Sequence, residues 1–243
     1  MSRMFRVAID GPGASGKSTT AKLLAKKLGF GYIDSGAMFR AVTLKCQQSG
    51  IDPSNIANKD KVTEIAQNAK IQFPTLGQVE LDGQNVSNLI RNSNITRNIS
   101  QVASNPDVRN ILAKQQRAMA NGELPGAQST GFIKHDKIIK GVVMDGRDIG
   151  TVILPNAELK VFIVADVRIR AQRRFDELKR RQGASLKETL DEVERDLEER
   201  DLADRTRSIA PLKKADDAVV LDTSHLSIEE QITAIEEMVY QRV

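Results

Sequence analysis

Residues 6–28 read RVAIDGPGASGKSTTAKLLAKKL: a short apolar run, a loop of small residues and then a lysine. Residues 11–18 match the pattern G-x-x-x-x-G-K-[ST], a glycine-rich loop that binds phosphate. Glycine lets the backbone approach a ligand closely, and the N–H groups of such a loop form a concavity that prefers an anion. The helix that follows adds its positive amino-terminal end at the same place. We therefore expect this loop to bind the phosphates of a nucleoside triphosphate.

The surroundings of the loop support this assignment. Arg6–Asp10 is an apolar run that ends at the loop, and apolar side chains between Ala21 and Leu28 repeat at the spacing of one helix face. Lys17 would bring a full charge to the β and γ phosphates, and the Ser18 hydroxyl would bind Mg²⁺. The alternative is a glycine-rich turn in another kind of α/β protein. The residues expected at ATP are Gly11, Pro12, Gly13, Ala14, Ser15, Gly16, Lys17, Ser18 and Thr19.

The composition is that of a globular chain. Its 243 residues suffice for one substantial core and a small second lobe. The 36 Lys and Arg residues exceed the 32 Asp and Glu residues only mildly. This excess suits an anionic substrate but is too weak by itself to indicate nucleic acid.

Three further features suggest a cytoplasmic protein. Cys46 is the single cysteine, which excludes a disulfide within the chain and fits a reducing compartment; we expect it on a helix face or in the core. His135 and His225 are isolated, so we expect no zinc site. No stretch reaches the length of a membrane span, and the first strand begins too early to leave room for a secretory signal.

Five apolar runs rich in Val and Ile are candidate core strands. They lack clean alternation, as strands covered on both faces do. Helical patterns separate them, which predicts a parallel sheet with right-handed crossovers. Aspartates follow at the carboxyl edge, where open α/β sheets bind ligands. The runs are Arg6–Asp10, Gly31–Asp34, Gly141–Asp145, Leu159–Asp166 and Ala218–Asp222.

Residues 70–86, KIQFPTLGQVELDGQNV, follow a different pattern. Apolar and polar residues alternate, and Asp82-Gly83 is a hairpin-turn signal between two of the segments. This pattern predicts a small antiparallel sheet inserted after the second core strand. An extension of the main sheet at its edge is the alternative.

The charge-dense stretch VRIRAQRRFDELKRRQ, residues 167–182, contains six arginines. After Gly183, apolar residues recur at Leu186, Leu190, Val193 and Leu197. We expect two helices, joined at residues 182–184, that project from the sheet as a hairpin lid. Most charge runs are solvated helix faces. Arginines after a core strand of a phosphate-binding protein also suit neutralisation of phosphate charge.

Three more stretches carry a resemblance to a known family. They are DSGAMFR at 34–40, VMDGRDIGT at 143–151 and ERDLADRTR at 199–207 followed by APL, and SQVA at 100–103 and Val108-Arg109 also match. Together they resemble the bacterial cytidylate kinases, in the same order from about Arg6 to the carboxyl terminus. This combination is far more specific than the phosphate loop. The family also places a small inserted sheet in its monophosphate-binding lobe.

The resemblance implies a five-stranded α/β P-loop kinase that transfers phosphate from ATP to CMP or dCMP with Mg²⁺. It implies a monomer that acts on small molecules, with neither nucleic acid nor membrane as a partner. One kinase domain would comprise a core (1–36, 100–166 and 208–243), a monophosphate-binding insert (37–99) and a lid (167–207).

The resemblance also assigns residues to roles. Asp148 and Arg109, assisted by Ser100, would read cytosine, whose N4 amino group needs a carboxylate and whose ring edge needs a cationic donor. The residues implied at CMP are Ser35, Arg40, Ser100, Arg109, Arg147, Asp148, Arg200, Asp204 and Arg207. Arg40, Arg147 and Arg207 would hold the phosphate, since a guanidinium suits bidentate phosphate contact, and Arg200 and Asp204 the ribose. The catalytic candidates are Lys17, Arg147, Arg170, Arg173, Arg174 and Arg207. Ser18 and Asp145, the latter through water, would hold the metal.

Two departures from the family and two rival functions stay open. Phe39 stands where the family usually has Tyr, and Gly126–Lys140 is an extra segment, expected as a surface loop or short hairpin. A kinase for UMP, AMP or a small metabolite is the nearest rival. A nucleotide-dependent regulator that binds nucleic acid is the other, but aromatics make up only 4% of the chain and Trp is absent, which leaves few stacking platforms.

Overall fold

The computed structural model describes residues 4–124 and 128–243. The strands are β1 (Phe5–Asp10), β2 (Gly31–Asp34), β3 (Ile71–Gln72), β4 (Glu80–Leu81), β5 (Gln84–Asn85), β6 (Phe132–Lys134), β7 (Lys137–Ile139), β8 (Gly141–Gly146), β9 (Leu159–Val164) and β10 (Val219–Asp222). The helices are α1 (Lys17–Leu28), α2 (Ser35–Gln48), α3 (Lys59–Asn68), α4 (Ser93–Ser104), α5 (Pro106–Ala120), α6 (Val167–Gln182), α7 (Leu190–Thr206) and α8 (Ile228–Tyr240). A single π-helical turn spans Ile149–Ile153.

The main sheet contains five parallel strands in the order β10-β9-β1-β8-β2. The five-stranded parallel sheet that the sequence predicts is thus confirmed. In the register of the sheet, Asp145 on β8 lies opposite Asp34 on β2 and Ile9 on β1. Because carboxyl ends of parallel strands share one edge, the strand-terminal aspartates and the glycine loop meet there.

The core covers both faces of the sheet because successive side chains of a strand point to opposite sides. Val7 and Ile9 pack with α1 and α8 on one face, and Ala8 packs with α2 and α5 on the other. All three are fully buried. Cys46 is buried on α2, as expected. Burial raises the pKa of its thiol to about 11.

The insert forms its own three-stranded antiparallel sheet, β3-β4-β5, separate from the main sheet. This confirms the inserted sheet and excludes the edge extension. Asp82 (φ 52°) and Gly83 (φ 82°) form the hairpin turn between β4 and β5. Both residues are in the left-handed region that such a two-residue turn requires.

Helices α6 and α7 form the predicted lid hairpin, but the second helix begins later than its apolar pattern suggests. Thr189 caps α7 through a reciprocal capping box with Glu192, so the helix starts at Leu190. Leu186 lies before this cap and outside the helix. Val193 and Leu197 are buried against α6 and Ala14 of the glycine loop, which joins the base of the lid to that loop.

The extra segment forms a short hairpin, β6-β7, which agrees with the expectation for its described part. Gly126 and Ala127 lie outside the described residues. The Phe132 ring packs against Phe30 and edge-on against Tyr240. Lys134 donates hydrogen bonds to the backbone carbonyls of Tyr240 and Val243, so the hairpin fastens the carboxyl end of the chain.

Across residues 4–124 and 128–243, no helix combines the length and apolarity that crossing a membrane requires.

Candidate active site

The glycine loop runs from the end of β1 to the start of α1. Gly11 must lack a side chain because a Cβ there would lie 2.3 Å from the Ile163 carbonyl oxygen of β9. Gly16 caps α1 with a φ of 90°, in the region that favours glycine. Lys17 is buried, and its Nζ donates to the Pro12 carbonyl at 3.0 Å, so the lysine folds back over the loop.

Positive charge accumulates around Lys17. Burial, and then the Arg147 and Arg200 guanidinium groups, lower the pKa of Lys17, while Asp145 and Asp34 act in the opposite direction. Desolvated cations that repel one another favour binding of an anion, because the anion relieves both penalties. A polyphosphate is such an anion.

Ser18 and Asp145 come together although 127 residues separate them, and Ser18 Oγ donates to Asp145 Oδ2 at 2.6 Å. Burial, followed by the Asp34 charge, raises the pKa of Asp145; Lys17 and the hydrogen bonds to its oxygens lower it. A hydroxyl and a carboxylate are the hard oxygen donors that Mg²⁺ prefers. Among the described residues, His, Cys, Asp and Glu side chains form no cluster of three that could hold a metal alone. The pair therefore fits a Mg²⁺ ion whose other ligands are water and substrate phosphates.

A second cluster of cations lies beside the loop. Arg147 Nε donates to Asp204 Oδ2 at 2.7 Å, and Arg207 Nη1 contacts Asp204 Oδ1 at 3.4 Å. Burial alone would raise the pKa of Asp204, but Arg147 and Arg207 outweigh it and lower the pKa. Arg207 Nη2 is buried without a partner in the described structure.

Arg200 adds a further charge at this cluster. Its side chain reaches solvent, yet the surrounding protein still desolvates it, and this effect with the Arg147 charge lowers its pKa to about 10. Asp204 is thus a single negative charge among three guanidinium groups: it contacts Arg147 and Arg207, and the Arg200 charge also acts on it. The excess of positive charge suits the dianion of a phosphomonoester.

The first turn of α2 lies next to the glycine loop and contributes further polar groups to the site. Asp34 accepts a hydrogen bond from the Ala37 N–H as the cap of α2, and its other oxygen pairs with Arg40 at 2.7 Å. Ser35 Oγ donates to the Asp145 carbonyl at 2.8 Å. Arg40 Nε is buried and has no partner among the described residues, so this guanidinium retains a free donor there.

Arg109 and Asp148, which the resemblance assigns to reading the base, form an ion pair in the structure. Arg109 Nη2 donates to Asp148 Oδ2 at 2.5 Å, and each side chain is only 8% exposed. The Arg109 guanidinium lies 5.4 Å from the centre of the Phe39 ring, so the residue that replaces tyrosine stacks beside the pair. Phe39, Arg109 and Asp148 line a cavity of about 240 Å³. Ser100 does not line this cavity; it is exposed on α4 and donates to Gln101 Oε1 at 3.0 Å.

The three lid arginines occupy different environments. Arg170 is buried, and its Nη1 donates to the Gly13 carbonyl at 3.1 Å and pairs with Asp201 at 2.8 Å. Arg173 donates to the carbonyls of Ser15 and Thr223. Two of the three therefore contact backbone carbonyls of the glycine loop and are not merely part of a solvated helix face.

Arg174 is different because it pairs with Glu177 one turn along α6, at 2.8 Å and partly exposed. A surface pair of this kind exchanges easily for another anion. Arg174 is thus the lid arginine whose charge is most readily available to a ligand.

Sequence reasoning missed several residues that hold the site together. Asp10 accepts hydrogen bonds from the N–H groups of Ile149 and Gly150, at 2.8 and 2.7 Å, and so fixes the turn after Asp148. Burial raises the pKa of Asp10 to about 6. The position of Asp10 at the carboxyl end of β1 was the feature of the sequence that could have indicated its place in the site. Asp201 had no signal beyond its place in the ERD stretch.

The buried Arg170–Asp201 pair leads to a stability prediction. Arg170→Ala would remove the cation that pairs with buried Asp201, whose Oδ1 already has no hydrogen-bond partner in the described part of the chain. Breaking a buried pair from one side costs about 3–5 kcal/mol. We expect urea unfolding to show a loss of that size in the free energy of unfolding.

Arg174→Ala is the matched control on the same helix, and its exposed pair predicts a loss within about 1 kcal/mol. Equal losses for the two variants would contradict a structural role that is specific to Arg170.

The fold and the site together define the class. A phosphate loop with a serine–aspartate pair lies beside a second cationic cluster, a cavity of about 240 Å³ and a helical hairpin. These are the parts of a P-loop phosphotransferase that brings a nucleoside triphosphate and a second phosphorylated substrate together.

The comparison with known families names the particular one. The model of the cytidylate kinase family matches residues 7–241. The chain therefore belongs to the cytidylate kinase family, and the resemblance stated from its motifs is confirmed.

Individual relatives agree. The chain is 43% identical to the cytidylate kinase of Chlorobaculum tepidum over 234 residues, which are 96% of this chain and 92% of the relative. It is 43% identical to that of Chloroherpeton thalassium over 98% of this chain and 94% of the relative. It is 40% identical to the cytidylate kinase of Listeria welshimeri over 100% of this chain and 99% of the relative.

Proposed function

We propose that the protein transfers the γ-phosphoryl group of ATP to CMP or dCMP, giving ADP and CDP or dCDP. The observation that carries this proposal is the buried Arg109–Asp148 pair, which lines a cavity of about 240 Å³. The pair presents a carboxylate and a guanidinium to one ligand edge, which is the complement of cytosine.

The hydrogen-bonding pattern of the base explains the preference. Cytosine offers an amino donor at N4 and acceptors at N3 and O2, whereas uracil offers an acceptor at O4 and a donor at N3. With UMP bound, the Asp148 carboxylate would face an oxygen, and Arg109 would face an N–H. A site whose buried polar groups lose their partners rejects the wrong substrate strongly.

The acceptor phosphate would bind among Arg40, Arg147 and Arg207. Within residues 4–124 and 128–243, Arg40 and Arg207 each retain a buried nitrogen without a partner, which a phosphate oxygen would satisfy. Arg200 and Asp204 would hold the ribose. Ser35 would lie in the turn that packs against the acceptor nucleotide. Ser100 could approach the base only if α4 and the insert moved towards the cavity.

The reaction asks the protein for alignment and charge neutralisation. A phosphate oxygen of CMP attacks the γ-phosphorus of ATP, and ADP leaves. That oxygen is largely ionised at neutral pH, so no general base is required. Lys17 and the loop N–H groups hold the donor phosphates. Ser18 and Asp145 would hold Mg²⁺, which supplies neutralisation of the β and γ oxygens when it is bound.

The lid has two roles in this proposal. Arg170 and Arg173 fix the carbonyls of the glycine loop, and Arg174 is free to exchange Glu177 for the transferring phosphoryl group. Closure of the lid and the insert would exclude water and so suppress ATP hydrolysis. We also propose that the protein acts as a cytoplasmic monomer on small-molecule substrates.

A coupled assay of ADP release with CMP, dCMP, UMP, AMP and GMP tests the substrate. We expect kcat/KM for CMP to exceed that for UMP by at least about 10², because a mismatched buried edge is rejected at least this strongly. A preference for UMP or a purine monophosphate would overturn the proposal. Titration with a single-stranded oligonucleotide tests the rival nucleic-acid function, and it should show no binding that CMP displaces.

A further inference from the structure

The Asp145 carboxylate has a partner on each oxygen. Ser18 Oγ donates to Oδ2 at 2.6 Å, and the Tyr32 hydroxyl donates to Oδ1 at 2.7 Å. Asp145 is 2% exposed and Tyr32 is 5% exposed, so the Tyr32 bond is shielded from bulk water, whereas Ser18 is exposed. The Tyr32 bond has no part in the phosphoryl transfer described above.

The two partners together fix the orientation of this carboxylate. It is buried, and it lies opposite Asp34 in the sheet. When a buried charged group loses a hydrogen bond, its unpaired acceptor costs the full free energy of desolvation. It would then turn about its last bond towards another donor, and Lys17 is a cation whose charge acts on it.

Tyr32 is well suited to prevent this rotation. Its ring is packed in the buried cluster beneath α1, so the hydroxyl position is fixed by the core. The hydroxyl approaches the carboxylate from the side of the core and donates to Oδ1 at 2.7 Å. With Oδ1 held from the core side, Oδ2 is the oxygen that stays beside Ser18.

We infer that Tyr32 is a positioning residue for the metal–nucleotide site: it holds the Asp145 carboxylate so that Oδ2 and the Ser18 hydroxyl face the metal of the bound nucleotide together. This inference rests on the proposed metal role of Ser18 and Asp145. A group that orients a metal-site ligand typically contributes 10- to 100-fold to metal affinity or activity.

The test is the contribution of the metal to ADP binding. Calorimetric titration with ADP in excess Mg²⁺ and in EDTA gives two Kd values, whose ratio is the metal enhancement. For Tyr32→Phe we expect this ratio to fall by about tenfold or more, with the Kd in EDTA unchanged. In steady state the KM for Mg²⁺ should rise. The KM for CMP should stay within about twofold, because the Tyr32 hydroxyl bonds to Asp145 and not to a residue assigned to CMP.

Tyr240→Phe is the matched control, because Tyr240 is the only other tyrosine in the sequence, is 41% exposed and contacts Glu236 rather than Asp145, at 3.3 Å. It should leave the metal enhancement unchanged. Equal enhancement in Tyr32→Phe and the unmodified protein would overturn the inference. Absence of any enhancement in the unmodified protein would instead overturn the metal role on which it rests, whereas the substrate panel tests CMP phosphorylation separately.

A second measurement needs no change at Tyr32. Trp is absent, so in Tyr240→Phe the Tyr32 ring is the only source of tyrosine or tryptophan emission. Mg²⁺ added to the ADP complex should change this emission saturably, because the metal draws charge from the carboxylate that accepts the Tyr32 hydrogen bond. Emission that does not respond to Mg²⁺ would contradict the inference even if Tyr32→Phe failed to fold.

Discussion

Lys17→Ala is expected to lower kcat by at least about 10²- to 10³-fold, the loss typical when one group that stabilises transition-state charge is removed. Lys17 carries the only full charge among residues 11–18, and it lies where the β and γ phosphates would bind. To reach these phosphates, Nζ must give up its hydrogen bond to the Pro12 carbonyl, which is a neutral acceptor. The measurement is steady-state ADP release with saturating CMP and ATP.

The fold should survive this change. Lys17 is a desolvated cation repelled by Arg147 and Arg200, and removing it relieves that repulsion. Thermal unfolding should therefore show no large decrease in Tm. Lys61→Ala, on the exposed face of α3, is the matched control and should keep full activity. Turnover near that of the unmodified protein in Lys17→Ala would refute the donor site, and the kinase proposal with it.

Asp148→Asn is expected to lower the ratio of kcat/KM for CMP over UMP by at least about tenfold, which corresponds to about 1.4 kcal/mol. The substitution keeps the size of the side chain but replaces one acceptor with an NH₂ donor. CMP would lose a charge-assisted hydrogen bond of about 1.5–3 kcal/mol, and the amide could face O4 of uracil. Full inversion is not expected, because Arg109 still favours the acceptors of cytosine.

The ion pair determines how the result is interpreted. Asp148 Oδ2 already accepts from Arg109, so the Asp148→Asn substitution would leave a buried guanidinium with a neutral partner. If Asp148 serves only to hold Arg109, activity on both substrates should fall by the same factor, and the role in base reading would fail. Asp60→Asn, an exposed carboxylate in the first turn of α3, is the control for the same chemical change and should leave the ratio unaltered.

Local patterns were sufficient for the elements that depend on local physics. The glycine loop needs a small set of residue types at fixed spacing, and the antiparallel hairpin at Asp82-Gly83 needs two residues that tolerate positive φ. Both were predicted and both are present. The start of α7 was missed because the apolar spacing of Leu186 continues past the Thr189 cap, and the cap decides where a helix begins.

The roles of the lid arginines could not be predicted in the same way. Residues 170, 173 and 174 look alike in sequence, but one is buried against Asp201, one contacts Ser15 and Thr223, and one remains at the surface. Which side of α6 faces the glycine loop depends on how α7 packs, and that packing joins residues far apart in the chain. The testable roles of the three arginines therefore differ, although their sequence assignment was the same.

The sequence by itself determined the phosphate loop, the parallel sheet, the inserted sheet, the lid hairpin and the family, because each is encoded by residue types at short spacing or by motifs in a fixed order. Only the tertiary structure decided which groups share a hydrogen bond. Asp145 meets Ser18 and Tyr32 across 127 and 113 residues, and Arg109 meets Asp148 across 39. Such contacts follow from the register of neighbouring strands and the packing of helices on them, and those arise only when the whole sheet has formed.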